Sequence, residues 1–380
     1  MEIYRVADTF HITGRGIVYT LRIDSKDVIS KGDFLYDLRV HRFKVKGIEM
    51  IRQAAAWKDD DTQLLGVMLE RLDNAEVYGR LLLSEPAKLH FLFCSHPLYL
   101  KRVDEDYAEE YQAAGLKYAR ALFSYEDLQD GKLSLYGEKI AGLTIYRGWM
   151  MKPELYRVFY ELLEEQGIIL INSPEEYEHY HVLPNWYKEF ENDTAQSWWT
   201  ASDSIKEATR LADGLEGPYI VKDYVKSRKH EWYDACFIAN AADQHNTEKI
   251  ITNFIIRQGD DLAGGVVLRQ FIPLKPIGFH EVSGMPMAEE YRVFVFAGKI
   301  LAIDDYWTST HQVHLTEEEY QWIEKLAQTL KSNFVAMDLA RKADGNLMIM
   351  ELGDGQVSGL QQIEAAGFYQ ALEESDINNL

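Results

Sequence analysis

The chain has 380 residues, a net charge of −21 and a hydrophobic fraction of 47%, which is enough apolar material for two or three separate cores. No window of 18 residues is apolar and uncharged, so we expect no membrane-spanning helix, and the acidic start is unlike a secretory signal. The two cysteines, Cys94 and Cys236, are too few for a disulfide framework or a four-cysteine metal site. A cytoplasmic protein is therefore expected.

The charge is unevenly distributed along the chain. Residues 1–83 contain 13 basic and 13 acidic residues, so the whole negative excess comes from the remainder. An acidic body of this size repels a nucleic-acid backbone on average. The first segment nevertheless carries a basic run that is a weak candidate for contacting nucleic acid, although alternating charges on a strand more often form a solvated face: Arg39, His41, Arg42, Lys44 and Lys46.

Residues 1–84 are predicted to form a small all-β barrel. Short alternating segments (FHITGRGIVYTLRI, FKVKGIEMI, QLLGVML and EVYGRL) are separated by turn residues such as Gly14-Arg15-Gly16 and Lys31-Gly32-Asp33. Short strands at this spacing, with no helical period, favour a closed barrel. The order of these motifs is similar to the second domain of elongation factor Tu and its translational GTPase relatives, but no phosphate-binding GTPase motif precedes them.

Residues 85–183 are predicted to form an α/β domain with a parallel sheet. Apolar segments at 88–93, 118–123, 143–149 and 167–171 alternate with helical segments. Pro153 opens one helix, where its missing N–H is tolerated, and Ser173 followed by two glutamates starts another. Alternation of this kind is typical of strands joined by helical crossovers.

Residues 184–380 are predicted to be α+β. A packed loop or helix pair rich in tryptophan comes first, and a strand at 217–225 and a helix near 246–256 follow. The apolar segments GGVVLRQFI, EYRVFVF, KILAIDDYW, FVAMDLA and LMIMELG are predicted strands. Thr316 and Glu319 have the form of a capping box for a further helix.

The first segment with chemical potential is YIVKDYVKSRKHEW. If its strand continues to Lys226, Lys222 and Lys226 lie on one face, where lysines bind phosphate oxygens as point charges. The following polar, cationic residues, which include Ser227 and Lys229, suit a loop that covers phosphates. Lysines on a strand are also commonly just solvated, and that alternative stays open.

The second segment is VVLRQFIPL. A strand that ends in an apolar run and a proline suits a hinge whose main chain contacts adenine, although an ordinary core strand has the same pattern.

The third feature is the acid pair Asp338 and Glu351. Each acid is predicted to end an apolar strand, and Asp344-Gly345 between them is typical of a hairpin turn, so the two carboxylates face each other. Neighbouring buried carboxylates repel unless a cation lies between them, and Mg²⁺ favours such oxygen ligands. The alternative is a pair of acids in solvent at the strand ends.

The order of lysine strand, hinge strand and acid hairpin resembles the ATP-grasp superfamily over residues 88–380. The segments VKDYVKSRKH, VVLRQFIPL, EYRVFVFAGKI and MELGDGQVSGL are most similar to the clade predicted to act in peptide tagging in phages and bacteria. The resemblance implies a mixed α/β and α+β protein, in which an ATP-grasp-like fold follows the barrel. Its parts would be a pre-ATP-grasp domain at 85–183 and nucleotide-binding lobes at 184–380.

The same resemblance implies roles for individual residues and two cofactors, ATP and Mg²⁺. Phosphate contacts would come from Lys222, Lys226, Ser227 and Lys229, and adenine contacts from Gln270, Phe271 and Ile272. Asp338 and Glu351 would bind Mg²⁺, and Arg292 the reacting carboxylate or acyl phosphate.

Two positions depart from the family pattern. Gly353 stands where many members have an asparagine metal ligand, which makes Asp354 the candidate third ligand, and Arg269-Gln270 replaces a glutamate at the hinge.

Arg292 lies in an alternating strand on the same face as Phe294 and Phe296. A guanidinium among apolar side chains needs an anionic partner. We expect that partner to be the substrate or, alternatively, Glu289 or Glu290.

These features predict a carboxylate–amine ligase that forms an amide or peptide bond through an acyl phosphate. Its substrates would be a carboxylate and an amine acceptor such as an amino acid, peptide or protein, whose identity the sequence leaves open. Two alternatives are a phosphotransferase on the same fold and a non-catalytic nucleotide sensor linked to translation or RNA through the barrel.

Overall fold

The computed structural model describes residues 2–24, 26–39, 41–49, 62–71, 77–86, 88–282, 284–307 and 315–375. None of the helices within these ranges is long and apolar enough to cross a membrane. Two edges of the predicted barrel strands, Met50-Ile51 and Glu76, lie outside the described residues.

The strands between residues 3 and 83 form a closed antiparallel barrel in the order β1-β2-β5-β4-β3-β6, with β6 paired to β1. Gly14 and Gly16 have φ angles of +77° and +112° and form the turn between β1 and β2. The predicted barrel is confirmed, whereas its likeness to elongation factor Tu stays a prediction. The strands are β1 (Ile3–Ile12), β2 (Gly16–Asp24), β3 (Phe34–Tyr36), β4 (Arg42–Glu49), β5 (Thr62–Arg71) and β6 (Leu81–Leu83).

The barrel is packed against the rest of the protein. Leu81 and Leu83 belong to the same hydrophobic core as Phe296, which lies in the C-terminal part of the chain. Nη2 of Arg5 donates a hydrogen bond to the carbonyl oxygen of Leu170 at 2.7 Å. The barrel therefore shares its core with the domains that follow it.

The basic run on the barrel is partly used within the fold. Arg39 donates from Nη2 to the carbonyl oxygen of Phe296 at 3.1 Å, and the His41 ring lies 3.1 Å from a carboxylate oxygen of Asp37. The other three members are exposed on β4: Arg42, Lys44 and Lys46. A nucleic-acid contact at this surface stays a prediction.

The middle part of the chain is built on a mainly parallel sheet. Its strand order is β10-β9-β7-β11-β12, with β8 paired to β7, and β9, β7, β11 and β12 run parallel. The predicted α/β class with a parallel sheet is confirmed. The elements are β7 (His90–His96), β8 (Tyr99–Val103), α1 (Ala108–Ala114), β9 (Ala119–Phe123), α2 (Tyr125–Gln129), β10 (Leu135–Gly137), β11 (Gly142–Arg147), α3 (Pro153–Glu164), β12 (Ile168–Leu170) and α4 (Pro174–His181).

The next part of the chain forms a four-stranded antiparallel sheet in the order β13-β16-β14-β15, covered by helices. The tryptophan-rich segment is a short helix and an edge strand rather than a loop or helix pair. The elements are α5 (Leu183–Tyr187), β13 (Ser197–Thr200), α6 (Ile205–Arg210), β14 (Tyr219–Asp223), α7 (Trp232–Ala235), β15 (Phe237–Ile238), α8 (Gln244–Gln258) and β16 (Val266–Gln270).

A second four-stranded antiparallel sheet follows, in the order β20-β19-β21-β22, and a two-stranded hairpin precedes it. Thr316 and Glu319 form the predicted capping box at the start of α9. The elements are β17 (Pro276–Phe279), β18 (Pro286–Ala288), β19 (Glu290–Phe296), β20 (Lys299–Asp305), α9 (Glu317–Thr329), β21 (Phe334–Arg341), β22 (Leu347–Asp354) and α10 (Ala365–Ser375). The predicted domain boundaries at residues 84 and 183 stay predictions.

Candidate active site

The two predicted metal-binding acids lie directly opposite each other. Asp338 on β21 pairs in register with Glu351 on β22, so both side chains extend from the same face of the second four-stranded sheet. A shift of register follows at once, between Asp338 and Leu339. The prediction that the acids face each other is confirmed. The prediction that they end their strands is wrong, because both strands continue for three residues beyond them.

Each acid is bound by a cation. Arg292 on β19 holds Asp338 with two hydrogen bonds, from Nε at 2.6 Å and from Nη2 at 3.0 Å. Lys222 on β14 reaches Glu351 from the other four-stranded sheet, with its Nζ 2.8 Å from Oε1. The expected pairing of Arg292 with a neighbouring glutamate is wrong, because Asp338 is its direct neighbour across the strand pair.

The local charges shift the acids in opposite directions. Burial raises the pKa of Asp338 above its ordinary value even though Arg292 favours the charged form. Burial also acts to raise the pKa of Glu351, but Lys222 and Lys229 outweigh it and hold that pKa below its usual range. The result is a compact site in which charges of both signs lie in a largely desolvated environment, where their interactions are stronger than in water.

Lys229 is the third cation of the site. Burial acts to lower its pKa, but the charges of Glu290, Tyr306 and the two acids outweigh that effect and keep the ammonium protonated. Its Nζ lies 5.8 Å from the centre of the Tyr306 ring. Lys229 is therefore a buried positive charge that faces carboxylates, as a residue that binds phosphate needs to be.

The structure corrects the prediction for Lys226. The strand β14 ends at Asp223, whose carboxylate accepts hydrogen bonds from the backbone N–H groups of Val225 at 2.7 Å and Lys226 at 2.5 Å. This local turn reverses the chain, and Lys222 and Ser227 form a bridge across it. Lys222 and Lys226 therefore do not share the face of one strand.

A hollow beside the acid pair contains most of the predicted nucleotide residues. Its walls are mainly apolar, with Ile220 and Met285 facing the hinge segment, and the acids lie at one end. Lys226 is the member of the predicted set that does not line this hollow. The predicted residues that do are Lys222, Ser227, Lys229, Gln270, Phe271, Ile272, Asp338 and Glu351.

The hinge main chain is partly occupied. The N–H of Gln270 donates to the carbonyl oxygen of Gln196 at 2.8 Å, and the N–H of Phe271 donates to that of Pro218 at 3.0 Å. Neither N–H is available to a base edge in this arrangement. Beneath the hinge, burial lowers the pKa of Arg269 to about 10, and its Nη2 donates to Thr194 Oγ1 at 2.7 Å.

A second, more polar hollow lies on the other side of the acids. Ser227, Lys229, Asp338 and Glu351 line both hollows, so the two meet at the acid pair. The second hollow adds Arg292 and a set of polar or small residues: Lys226, His230, Tyr306, Ser358, Gly359 and Gln361.

Asp354 does not join the acid pair. Because it lies three residues after Glu351 on β22, its side chain extends from the opposite face of the sheet. It is buried, accepts a hydrogen bond from Asn172 Nδ2 at 2.6 Å, and has a pKa that burial raises to about 7. The prediction of Asp354 as third metal ligand therefore does not fit the structure.

The sequence analysis missed the site role of Glu290. It lies two residues before Arg292 on β19, lines the first hollow, and is buried. Burial raises the pKa of Glu290, and Lys229 opposes this shift. The available signal was its alternation with Arg292, which places both on one face of the strand.

Comparison with known proteins gives the following matches. Residues 211–372 match an ATP-grasp domain family, the third family of its clade, and no curated protein matches the chain. The chain is similar to a RimK domain protein ATP-grasp from Sphaerobacter thermophilus, with a TM-score of 0.51 and 14% identity, over 77% of this chain and 100% of that chain. The VanG D-Ala:D-Ser ligase of Enterococcus faecalis gives a TM-score of 0.49 and 11% identity, over 77% and 98%. D-alanyl-alanine synthetase A of Vibrio cholerae gives 0.48 and 13%, over 76% and 98%.

The matched range contains all of the predicted site residues. The ATP-grasp resemblance read from the sequence is thereby confirmed over residues 211–372, and the predicted cofactors, ATP and Mg²⁺, are those that ATP-grasp ligases use.

The donor set at the acid pair fits Mg²⁺. Two opposed carboxylates, Asp338 and Glu351, suit an ion that commonly takes one or two protein carboxylates and completes its shell with phosphates and water. Within the part of the chain that the structure describes, no group of three acid, histidine or cysteine side chains could hold a metal ion. The fit therefore rests on two protein ligands, and Arg292 and Lys222 bind the same carboxylates.

Proposed function

We propose that this ATP-grasp protein is a carboxylate–amine ligase that uses ATP and Mg²⁺ and works through an acyl phosphate. The observation that carries the proposal is the position of the acid pair, with its cations, where an apolar hollow and a polar hollow meet. A nucleotide base in the first hollow and a carboxylate in the second would place the terminal phosphate beside the carboxylate that attacks it.

The apolar hollow suits the nucleotide. Gln270, Phe271 and Ile272 would contact adenine, while Lys222 and Lys229 would hold the phosphates. Asp338 and Glu351 would hold Mg²⁺, which when bound neutralises part of the phosphate charge. Binding of the phosphates would place them between Lys222 and Glu351, which contact each other in the structure described here.

The reaction requires two bond exchanges. A carboxylate oxygen of the substrate attacks the γ-phosphorus of ATP, and the bond from that phosphorus to the ADP oxygen breaks. The amine nitrogen then attacks the acyl carbon, inorganic phosphate leaves, and the amine loses a proton. The side chains contribute mainly orientation and fixed charge, which are strongest in a site that excludes water.

Arg292 is the residue that we assign to the carboxylate and the acyl phosphate. Its guanidinium lines the second hollow, and only a small part of its surface is exposed. A planar guanidinium matches a carboxylate or phosphate with two parallel hydrogen bonds. Asp338 now occupies one edge of that guanidinium, which keeps it oriented on the sheet face.

The second hollow gives the acceptor a route to the site. Its volume is about 410 Å³, and it shares His181, Val225, Lys226 and Met150 with a groove of about 950 Å³ that runs along the middle domain. A groove of this size accommodates more than a single small molecule. This supports an amine acceptor that is an amino acid, a peptide or a segment of a protein.

The deciding experiment traps the acyl phosphate with hydroxylamine, a small amine. The protein, ATP and Mg²⁺ are incubated with mixtures of amino acids and short peptides as carboxylates, and hydroxamate and ADP are measured. A ligase gives hydroxamate and ADP in equal amounts. ADP with a phosphorylated hydroxyl and no hydroxamate would instead indicate a phosphotransferase, and ATP binding without any turnover would indicate a nucleotide sensor.

A further inference from the structure

Asp354 is the centre of a buried hydrogen-bond network behind the acid pair. Only 1% of its surface is exposed. One carboxylate oxygen accepts from Asn172 Nδ2 at 2.6 Å, and the other accepts from the backbone N–H of Gln356 at 2.9 Å and from its Nε2 at 3.2 Å. The carboxylate is thus held by amide donors from two parts of the chain.

Asn172 connects the middle domain to the two strands that carry the acids. It follows β12, and its Oδ1 accepts from the backbone N–H groups of Asn333 and Phe334, each at 3.1 Å. Its Nδ2 also donates to the carbonyl oxygen of Phe334 at 2.7 Å. One amide side chain therefore fixes the start of β21 and, through Asp354, the end of β22.

The loop after β22 is held by the same domain. The carbonyl oxygen of Gly355 accepts from Arg147, and the side-chain oxygen of Gln356 accepts from the backbone N–H of Tyr146 at 3.2 Å. Ser358 Oγ donates back to the carbonyl oxygen of Asp354 at 2.9 Å. Residues 355–358 therefore have partners on both sides.

The loop ends at a contact with Arg292. The carbonyl oxygen of Gly359 accepts from Nη1 of Arg292 at 2.5 Å, while Asp338 accepts from the Nε and Nη2 of the same guanidinium. Gln361, two residues later, has a φ of +57°, a conformation that a residue with a side chain seldom adopts without support from its surroundings. The third donor of Arg292 is therefore oriented by the loop rather than by the sheet.

We propose that Asn172 and Asp354 are positioning residues: they fix the loop 355–359 so that Gly359 orients the guanidinium of Arg292 toward the second hollow. This inference rests on the proposed function, in which Arg292 binds the reacting carboxylate. Neither residue lines the hollows described above, so they would act only through the loop.

The test exchanges the donor and the acceptor of the pair. Asp354→Asn places an amide opposite the Asn172 amide and forces two donors together, and Asn172→Asp forces two acceptors together. The double variant restores one donor and one acceptor with their positions reversed. Glu176→Gln is the matched control, because Glu176 is a buried carboxylate that binds Arg5 and the Ser173 N–H and has no contact with the loop.

The first measurement does not depend on turnover. In protein labelled with ¹⁵N-arginine, the Nε–H signal of Arg292, identified by its loss in Arg292→Lys, reports how well the guanidinium is held. Each single variant should speed its exchange with solvent at least tenfold, and the double variant should restore most of the protection. Exchange like that of the wild-type protein in folded single variants would overturn the proposal.

The second measurement is hydroxamate formation and ATP affinity in the same variants. Each single variant should form hydroxamate at least tenfold more slowly, with ATP affinity within twofold of the wild-type protein and partial recovery in the double variant. Loss of activity in Glu176→Gln to the same degree would overturn the positioning role and indicate a general loss of stability. Absence of hydroxamate in the wild-type protein would contradict the ligase, while the exchange measurement would still test the network.

Discussion

The ammonium of Lys222 lies 2.8 Å from a carboxylate oxygen of Glu351, although the two residues are 129 positions apart and lie on different sheets. This contact is the direct link between the first four-stranded sheet and the acid pair. A nucleotide in the first hollow would have its phosphates beside both residues. The acid and the lysine would then each face a charge of opposite sign, the metal ion for one and phosphate oxygens for the other.

Glu351→Gln should weaken the binding of ATP in the presence of Mg²⁺ by about tenfold, roughly 1.4 kcal/mol. The substitution keeps the size of the side chain but removes a negative charge from a site that we expect to hold a cation. Isothermal calorimetry with ATP and Mg²⁺ measures the change. Glu373→Gln, which alters a surface pair with Lys117, is the control. Wild-type affinity and activity in the Glu351 variant would end the metal assignment.

Arg292→Lys should leave ATP affinity nearly unchanged and reduce product formation at least a hundredfold, about 2.7 kcal/mol of transition-state stabilisation. Lysine keeps the charge but has no planar fork, so it cannot bind Asp338, Gly359 and a substrate carboxylate together. The readouts are calorimetry and hydroxamate formation. Arg341→Lys is the matched control, because Arg341 is also paired with acids, Glu289 and Glu319, outside the two hollows. Near-normal turnover of folded Arg292→Lys would defeat the assignment.

A chain that begins at Pro86 should still bind ATP but unfold at a temperature lower by at least about 5 °C. The predicted site residues all lie after this position, which favours retained binding. The truncation exposes the core surface that Leu83 covers, and it removes the hydrogen bonds from Arg5 to Leu170 and from the Arg80 N–H to Asn333. Burial of apolar area is the main stabilising term that is lost.

Calorimetry and a thermal melt of the shortened chain test this prediction. Leu83→Ala in the full chain is the gentler comparison, with an expected loss of about 2 to 5 kcal/mol for a fully buried leucine. If a soluble, folded truncation no longer binds ATP, the barrel contributes to the nucleotide site after all. An unchanged melting temperature would show that the shared core adds nothing to stability.

The sequence predicted the site best where alternation alone determines position. Asp338 and Glu351 were placed opposite each other because the hairpin turn between them fixes the register of two apolar strands, and the structure has this pairing. The two faces of β19 were also assigned correctly: Phe294 and Phe296 pack in one core, and Val293 in another.

The errors arise where side chains far apart in sequence meet. Lys226 was placed on the strand because the pattern of β14 continues past Asp223, but the carboxylate of Asp223 binds the following N–H groups and ends the strand. Asp354 was taken as a metal ligand because it lies close to Glu351 in sequence. Its partner Asn172 is 182 residues away, and no local pattern indicates that contact.

Replacement of Asp354 by asparagine should change how stability depends on pH. Burial raises the pKa of Asp354 from 3.8 to about 7 in the folded protein, and the groups that face it are Asn172, Gln356, Tyr156 and Glu176. Between about pH 4 and pH 7 the folded chain therefore keeps a proton that the unfolded chain has lost. The free energy of unfolding contributed by this group is full below pH 4 and falls as the pH rises to 7.

Because one pKa unit corresponds to about 1.4 kcal/mol, this contribution amounts to roughly 4 kcal/mol at most over the whole interval. The asparagine side chain has no charge at any pH, so the Asp354→Asn variant lacks this slope, although it loses a constant amount from the donor opposed to Asn172. Urea unfolding of both proteins at pH 5, 6, 7 and 8 separates the two effects. The difference between the wild-type and variant free energies of unfolding should shift in favour of the variant as the pH rises, and should level off above pH 7. Parallel curves over this range would show that Asp354 is already ionised at pH 5 and that its amide partners compensate fully for its burial.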